Sequence, residues 1–323
     1  MEKRFDAVAL GELLIDFTEH GFSEQGNPLW EANPGGAPCN VLAMLNKFGR
    51  RTAFIGKVGN DVYGQQLRAV VTDAGIDTSA LFQDPKVHTT LAVVRRLPNG
   101  DRDFSFYRDP GADMMLTAND LPHNLLRDCR IFHFGTLSMT HEGVRSATEQ
   151  AVLCAKAYDA RISFDPNLRP PLWSDLNEAK KQIEWGLGHA DIVKIADNEL
   201  EFLTGETDFH KGSANLRDRF PNIRLLNVTA GPDGSYCYYG NTRVYVPAFL
   251  LGDTIETTGA GDTFCACVLH DILKNGLDDR SEDSLRGMLR FANAAAYLVT
   301  TKKGAIRSMP NPSEVQAILN ECT

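Results

Sequence analysis

Short apolar runs of strand length alternate with helical patterns along this chain, and this alternation limits the fold more than any other feature of the sequence. The strand-length runs cover residues 7–10, 13–17, 52–58, 131–134, 162–164, 192–195 and 225–228. The helical patterns cover residues 37–48, 61–74, 141–158, 175–187 and 198–203. Such alternation is typical of a parallel sheet with helices on both faces. The sequence therefore predicts an α/β fold.

One segment interrupts the alternation. The strand-like runs 89–97 and 102–107 flank Pro98-Asn99-Gly100-Asp101, and Asn-Gly between such runs indicates a β-hairpin. The hairpin fits either a separate flap or an antiparallel edge of the main sheet. No Pro/Ser-rich linker divides the 323 residues, which favours one body over two tethered domains.

Charge and hydropathy exclude several functional classes. The net charge is −9 and no basic stretch stands out, so nucleic acid is a poor candidate partner. The N-terminal apolar stretch is interrupted by Gly11, Glu12 and Asp16, which fits neither a secretory signal nor a membrane span. We predict a cytoplasmic protein without a membrane partner.

The cysteines and histidines give no sign of a disulfide framework or a transition-metal site. There are seven cysteines, an odd number, and none forms a C-x-x-C pair. The eight histidines lack H-E-x-x-H or another tight ligand spacing. We expect reduced, mostly structural cysteines and no structural transition metal.

The richest chemical signal is Thr257-Thr258-Gly259-Ala260-Gly261-Asp262-Thr263-Phe264, which precedes an apolar helical run. Glycines at the start of a helix let backbone N–H groups converge where the helix dipole is positive, which favours an anion. A carboxylate beside such a site could take a proton from an attacking hydroxyl. Asp262 is therefore a candidate general base; the structural alternative is a helix cap.

Two common nucleotide-binding motifs are missing. The chain contains no G-x-x-x-x-G-K-[ST], and Gly11-Glu12-Leu13 is not the G-x-G-x-x-G dinucleotide fingerprint. A kinase would need another phosphate cradle, and a nicotinamide oxidoreductase has little support.

Four separated segments, in order, resemble the signatures of the ribokinase-like PfkB carbohydrate kinases. They are the Gly-Gly segment 33–43, the segment 56–64, Asn198-Glu199-Leu200-Glu201 and Thr258-Gly259-Ala260-Gly261-Asp262. The resemblance covers essentially the whole chain and is greatest to bacterial fructokinases. It implies a Rossmann-like, doubly wound, mostly parallel sheet with a small β-sheet lid, formed by segments at about 13–33 and 88–112.

The resemblance also implies ATP-dependent phosphorylation of a sugar hydroxyl. Asp262 matches the family's catalytic base, and Gly259, Ala260 and Gly261 match its anion hole. Residues at positions near the sugar are Asp16, Gly35, Gly36, Asn40, Arg108, Asp165, Asn167 and Arg169. For Asp16 the alternative is a solvated strand end, and the two arginines could instead pair with Asp109 or Asp165 on the surface.

For the nucleotide, the resemblance implies contacts from Lys194, Thr229, Gly231, Gly234 and Asn293, although the alanine-rich helix around Asn293 also fits simple packing. Asn198 and Glu201 match the element that organises Mg²⁺, largely through water. The alternative for Glu201 is a solvated helix face. Glu256 stands where many relatives have Asp at a monovalent-cation site, so K⁺ dependence remains open.

We therefore expect a kinase that converts D-fructose to fructose 6-phosphate, with ATP and Mg²⁺. Within the same class, 2-keto-3-deoxygluconate kinase and 5-dehydro-2-deoxygluconokinase remain alternatives. From another class, a non-catalytic sugar or nucleotide sensor on the same fold remains. Relatives often dimerise through their lids, and an exposed sheet edge favours such pairing, so a homodimer is a further hypothesis.

Overall fold

The alternation in the sequence is realised as a mostly parallel sheet between two layers of helices. The computed structural model describes residues 3–96, 102–252 and 254–322. In chain order its strands are β1 (Phe5–Leu10), β2 (Leu14–Phe22), β3 (Pro28–Gly35), β4 (Thr52–Gly59), β5 (Asp77–Asp84), β6 (Leu91–Arg96), β7 (Arg102–Tyr107), β8 (Cys129–Phe134), β9 (Arg161–Phe164), β10 (Ile192–Ala196), β11 (Leu225–Thr229), β12 (Ser235–Tyr239) and β13 (Thr242–Val246). Its α-helices are α1 (Ala37–Lys47), α2 (Val62–Asp73), α3 (His123–Arg127), α4 (Glu142–Ala157), α5 (Leu176–His189), α6 (Asp197–Thr204), α7 (Phe209–Arg219), α8 (Ala260–Asn275), α9 (Glu282–Thr300) and α10 (Pro312–Glu321).

The described strands form two separate sheets. The main sheet has nine strands in the order β13-β12-β11-β10-β9-β8-β1-β4-β5, and all its pairs are parallel except β11/β12 and β12/β13. The expected doubly wound α/β fold is thus confirmed. No helix of the described residues is long and apolar enough to cross a bilayer.

Strand β1 explains why helices cover both faces of the main sheet. All six of its residues are buried. Ala7 and Ala9 pack with residues of α1, α2, α8 and α9, whereas Val8 and Leu10 pack with residues of α3 to α7. Because side chains alternate across a strand, an unbroken apolar run requires a helical layer on each side.

The smaller sheet, which we call the lid sheet, has the order β3-β2-β6-β7 in the described part of the chain. Its β2/β3 and β6/β7 pairs are antiparallel, and β2/β6 is parallel. Of the two alternatives for the hairpin segment, the separate flap is therefore the correct one. The predicted Asn99-Gly100 turn lies outside the described residues.

The connections to the lid sheet both leave the same edge of the main sheet. The chain passes from β1 through Gly11-Glu12-Leu13 into β2, returns on β3, and enters α1 at Ala37. The second excursion, β6 and β7, follows β5. As a result, the lid sheet lies over the carboxyl ends of the parallel strands, where open α/β sheets bind their ligands.

Candidate active site

A cavity of about 460 Å³ lies between the carboxyl edge of the main sheet and the lid sheet. Among the predicted site residues, those lining it are Asp16, Gly36, Asn40, Asn167, Arg169, Lys194, Thr229, Gly259, Gly261 and Asp262. These residues come from separate parts of the sequence, and the fold brings them to one place. Thr18, Val94 and Phe106 of the lid sheet close the other side of the cavity.

The glycine-rich segment opens helix α8 at the cavity wall. Gly259 is the N-cap residue, with a φ of 82°, a left-handed conformation that suits glycine. A Cβ at Gly261 would lie 3.0 Å from the Lys194 Nζ, so the ammonium sits directly against this turn. The first-turn N–H groups of a helix lack intrahelical acceptors, although that of Ala260 donates to the Thr257 carbonyl at 3.3 Å. Together with the ammonium they form a cradle suited to a phosphoryl group.

Asp262 lies in the first turn of α8 with its carboxyl group facing the cavity. Asn40 Nδ2 donates to Asp262 Oδ2 at 2.7 Å, a bond between residues 222 positions apart. Burial, reinforced by the negative charge of Asp165, raises the pKa of Asp262 to about 6, against the opposing effects of Asn40, Lys194 and Arg169. Asp262 is thus a carboxylate at neutral pH that accepts a proton more readily than an exposed aspartate.

Lys194 and Asp165 form a buried ion pair beneath the glycine-rich turn. The Lys194 Nζ lies 3.1 Å from Asp165 Oδ2, and both side chains are less than a tenth exposed. Burial alone would lower the pKa of Lys194, but Asp165, Glu199 and Asp262 raise it above its ordinary value. Lys194 therefore stays cationic, and Asp165 acts as its counter-ion and does not itself line the main cavity.

Asp16 and the Gly35-Gly36 turn meet at the base of the lid sheet. A Cβ at Gly35 would lie 2.4 Å from Asp16 Oδ2, and a Cβ at Gly36 would lie 2.5 Å from the Glu12 carbonyl oxygen. Gly36 also has a φ of 134°. Only glycine allows this close approach, which leaves the Asp16 side chain at the cavity wall.

The two predicted arginines have different surroundings. Arg169 lines the cavity, with Nη1 3.3 Å from the Leu168 carbonyl. Arg108 is buried and bound to Asp113 at 2.7 Å, to Thr140 Oγ1 at 2.7 Å and to the Leu137 carbonyl at 2.9 Å. Arg108 therefore fixes the chain behind the cavity, and its partner is neither Asp109 nor Asp165.

The predicted nucleotide residues are only partly brought together. Thr229 lines the cavity. Gly231 and Gly234 follow it with φ of 50° and 97°, and a Cβ at Gly234 would lie 2.3 Å from the Val246 carbonyl oxygen. Asn293 is buried, donates to the Val246 and Pro247 carbonyls at 3.1 and 3.0 Å, and accepts from Ser235 Oγ. Its amide thus fastens the segment after β13 to helix α9.

The predicted magnesium element lies at the start of helix α6, where Asn198 and Glu201 are both exposed. Between them Glu199 is buried and accepts from the Ala196 and Leu168 N–H groups at 2.8 and 2.6 Å. No cluster of three acidic, His or Cys residues in the described ranges could enclose a metal by itself. One amide and one carboxylate nevertheless fit an ion that keeps most of its water ligands.

Glu256 stands where many relatives have Asp at a monovalent-cation site, and both of its carboxylate oxygens accept hydrogen bonds from the protein. Its Oε1 accepts from Thr258 Oγ1 at 2.6 Å and its Oε2 accepts from the Gly304 N–H at 3.0 Å. It also lines the cavity, beside Thr257 and Thr258.

Sequence reasoning missed Glu12 as a site residue. Glu12 is buried, lines the cavity, and its Oε1 accepts from the Ala37 N–H at 2.8 Å. Burial raises the pKa of Glu12 to about 7. The available signal was a carboxylate two residues after the apolar run 7–10, at the edge where parallel strands place functional groups.

Comparison with known proteins identifies the family. The pattern described as "pfkB family carbohydrate kinase" matches residues 5–312. A relative named "Probable fructokinase-2", from Arabidopsis thaliana, is 40% identical over 314 residues, which cover 97% of this chain and 95% of the relative.

Two solved structures extend the similarity to three dimensions. A fructokinase with bound ATP from Xylella fastidiosa has a TM-score of 0.88 at 28% identity, covering 98% of this chain and 99% of the other. A fructokinase double mutant from Vibrio cholerae O395, in a fructose-, ADP- and potassium-bound form, has a TM-score of 0.86 at 30% identity, covering 99% and 100% of the two chains. With the family pattern over nearly its whole length and the signature residues gathered at one cavity, the chain belongs to the pfkB family of carbohydrate kinases.

Proposed function

We propose that this protein is a fructokinase that transfers the γ-phosphoryl group of ATP to the primary C6 hydroxyl of D-fructose, with Mg²⁺. The similar proteins reported above are named as fructokinases, and the similarity extends over essentially the whole length of each. The site has the parts that this reaction needs: a buried carboxylate, a phosphoryl cradle and a second sheet that covers the cavity.

The carboxyl group of Asp262 carries the proposal. It is buried, has a pKa near 6 and lies within one helical turn of the glycine cradle. The attacking sugar hydroxyl gives its proton to Asp262 while its oxygen forms the new bond to phosphorus. The bond between that phosphorus and the β-phosphate oxygen breaks, and ADP leaves with the electron pair.

The surrounding residues of the chain orient and stabilise this transfer. Asn40 holds the Asp262 carboxylate by its 2.7 Å hydrogen bond, and the Lys194 ammonium supplies positive charge beside Gly261. We assign Asp16 to the sugar hydroxyls, and Asn198 and Glu201 to the hydration shell of Mg²⁺, which neutralises phosphate charge when it is bound. Val94 and Phe106 exclude water, which would otherwise compete as the acceptor.

Arg169 favours a second class of substrates, the sugar acids, and these must be compared with fructose. A guanidinium on the cavity wall can bind a carboxylate in a bidentate way, as a sugar acid would require. 2-Keto-3-deoxygluconate and 5-dehydro-2-deoxygluconate therefore belong in the same assay as fructose.

The deciding experiment is an ADP-release screen over ketoses, aldoses and sugar acids, with product phosphate located by NMR. We expect the highest kcat/KM for D-fructose and phosphorylation at C6. A clear preference for a sugar acid would replace the fructokinase assignment. Ligand-raised thermal stability without ADP production would instead indicate a sensor.

Parallel assays in K⁺ and Na⁺ buffers test whether Glu256 supports a potassium-dependent enzyme.

The outer face of the lid sheet supports a homodimer. Phe22 is 74% exposed and Tyr107 66%, and Trp30 adds further exposed apolar surface. We propose that two lid sheets pair, since apolar surface and free strand edges favour association. Light scattering should give twice the monomer mass; a monomer at micromolar concentration would contradict this.

The seven free thiols also fit the reducing cytoplasm, which localisation of a tagged chain would test.

A further inference from the structure

Glu12 occupies a junction at which three parts of the molecule meet. It follows β1 of the main sheet and precedes β2 of the lid sheet, while its bonding partner Ala37 follows β3 of the lid sheet and begins α1. The 2.8 Å bond from the Ala37 N–H to Glu12 Oε1 therefore ties together both chain crossings at the base of the β2/β3 hairpin.

Helix α1 depends on this bond for its N-terminal cap. Its N-cap residue is Gly36, which has no side chain, and its first turn, Ala37-Pro38-Cys39, carries no acidic residue. A helix N-terminus has unsatisfied N–H groups and a positive dipole end, both of which favour a carboxylate. Glu12 supplies that carboxylate from 25 residues earlier in the chain.

The capped turn leads directly to the catalytic carboxylate. Asn40 lies one turn into α1, its N–H donates to the Gly36 carbonyl at 3.0 Å, and its side chain donates to Asp262 Oδ2 at 2.7 Å. Any displacement of the first turn of α1 therefore displaces the Asn40 amide. Small displacements of orienting groups strongly reduce the rates of enzymatic reactions.

We propose that Glu12 is a positioning residue that caps helix α1 across the base of the lid sheet and thereby holds Asn40 against Asp262. The inference rests on the proposed function, because it concerns the alignment of the residue assigned as the base. It assigns a role to a residue that neither the glycine-rich signature nor the predicted sugar contacts include.

The surroundings of Glu12 explain how a carboxylate is tolerated there. The Asp113 and Arg108 ion pair lies close to it, with Asp113 favouring and Arg108 opposing protonation. Cys39 faces it from α1. A small cavity that Glu12 lines also contains His133 and Asp165, and burial lowers the pKa of His133 to about 4, so His133 is neutral. The main cavity adds Asp16, Arg169, Lys194, Glu256 and Asp262.

Three substitutions separate the hydrogen bond from the charge. Glu12→Gln keeps an oxygen that can accept from the Ala37 N–H, Glu12→Asp keeps the charge but is one methylene shorter, and Glu12→Ala removes both. We expect Gln to retain kcat within about three-fold, whereas Ala and Asp lose roughly 10- to 100-fold in kcat. KM for ATP should stay within about two-fold in all three, since the change acts through Asn40.

Hydrogen exchange provides a readout that does not depend on turnover. The peptide covering residues 36–41 should exchange faster in the Ala and Asp variants and at the wild-type rate in Gln. Asp208→Ala is the matched control, because Asp208 caps α7 by accepting from the His210 and Lys211 N–H groups outside the cavity. It should speed exchange at the start of α7 and leave kcat unchanged.

Several outcomes would overturn the inference. Equal losses in Gln and Ala would mean that charge, and not the bond to Ala37, is what matters. Wild-type kcat and exchange in Ala would remove Glu12 from any positioning role. If Ala does not fold, the contrast between Gln and Asp decides the matter. Should the wild-type enzyme phosphorylate no sugar, the proposed function fails, and the exchange data still test the cap.

Discussion

The main sheet and the lid sheet divide the cavity between them, and they are built differently. Strand β1 of the main sheet is buried along its whole length between two helical layers. Strand β2 of the lid sheet begins buried at Leu14 and becomes exposed toward Phe22. An element with few buried contacts opens at a lower free-energy cost than a core element. The lid sheet is therefore the part of the cavity suited to move.

The division extends to the chemistry of the site. The charged groups of the main body, Asp262, Lys194 and Asp165, are buried and connected to one another. The lid contributes Asp16 together with the hydroxyl and apolar groups of Thr18, Val94 and Phe106. We expect substitutions in the body to reduce kcat, and substitutions in the lid to act mainly on sugar KM and on exclusion of water.

The largest effect is expected at Asp262 in the body. Asp262→Asn preserves the shape of the side chain but removes the proton acceptor, so kcat should fall by roughly 10² or more while ATP binding persists. Steady-state kinetics and calorimetric titration with ATP measure the two effects. Asp283→Asn, in the exposed first turn of α9, is the matched control and should behave as the wild type. A normal turnover number in Asp262→Asn would exclude this residue as the base.

Lys194→Met comes next, because it removes the cation beside Gly261 and leaves Asp165 buried without a counter-ion. Breaking a buried pair costs about 3–5 kcal/mol of stability, and kcat should fall roughly 10-fold or more. Adding Asp165→Asn should recover much of the melting temperature without restoring kcat. If the double variant regained activity, Lys194 would be needed only to neutralise Asp165.

The pH profile provides a smaller and graded test of the body. The carboxylate is the active form of Asp262 and its pKa is raised to about 6, so kcat/KM should be full above that pH and fall as pH drops through it. One unit below, activity should be down roughly ten-fold. Glu12 has a pKa of about 7, so repeating the profile in Glu12→Gln separates the two carboxyl groups. A flat profile from pH 7 to pH 5 would contradict a titrating base.

Six of the nine main-sheet strands, namely β1, β4 and β8 to β11, were predicted because each follows a local apolar run, whereas β5, β12 and β13 were not predicted. The apolar run 7–10, for example, is buried on both faces of the sheet. The helix predicted over residues 61–74 begins next to Asp61, whose side chain accepts from the Gly64 N–H at 2.8 Å. Signature residues such as Asp262 and Asn40 were identifiable from their motifs. Their 2.7 Å hydrogen bond spans 222 positions and follows only from the packing of α1 on α8.

Three features were not predicted from the sequence, because each depends on how the folded chain brings its segments together. Strand β3 contains Pro28, Pro34 and Gly35, which disfavour a strand locally, so it is defined by its partner β2. The partner of Arg108 is Asp113, five residues away, which charge pattern alone could not distinguish from Asp109. Glu12 has no motif of its own, because its role depends on where the chain returns from the lid sheet to the main body.

The smallest effect on kcat is expected at Phe106 of the lid sheet. This residue also gives the sharpest test of the division of roles between the main sheet and the lid sheet. Its side chain lines the cavity, whereas Tyr107, next along β7, is 66% exposed on the opposite face. Phe106→Ala should raise sugar KM several-fold, lower kcat only about two- to five-fold, and increase ATP hydrolysis relative to sugar phosphorylation, because water enters the cavity. Ser105→Ala, at an exposed position of β7 whose side chain also faces away from Phe106, is the matched control and should change none of these quantities. Product analysis that separates free phosphate from sugar phosphate measures the ratio directly. A loss of kcat as large as that of Asp262→Asn, with sugar KM unchanged, would mean that the lid sheet aligns the reacting groups and that the division of labour between the two sheets is wrong.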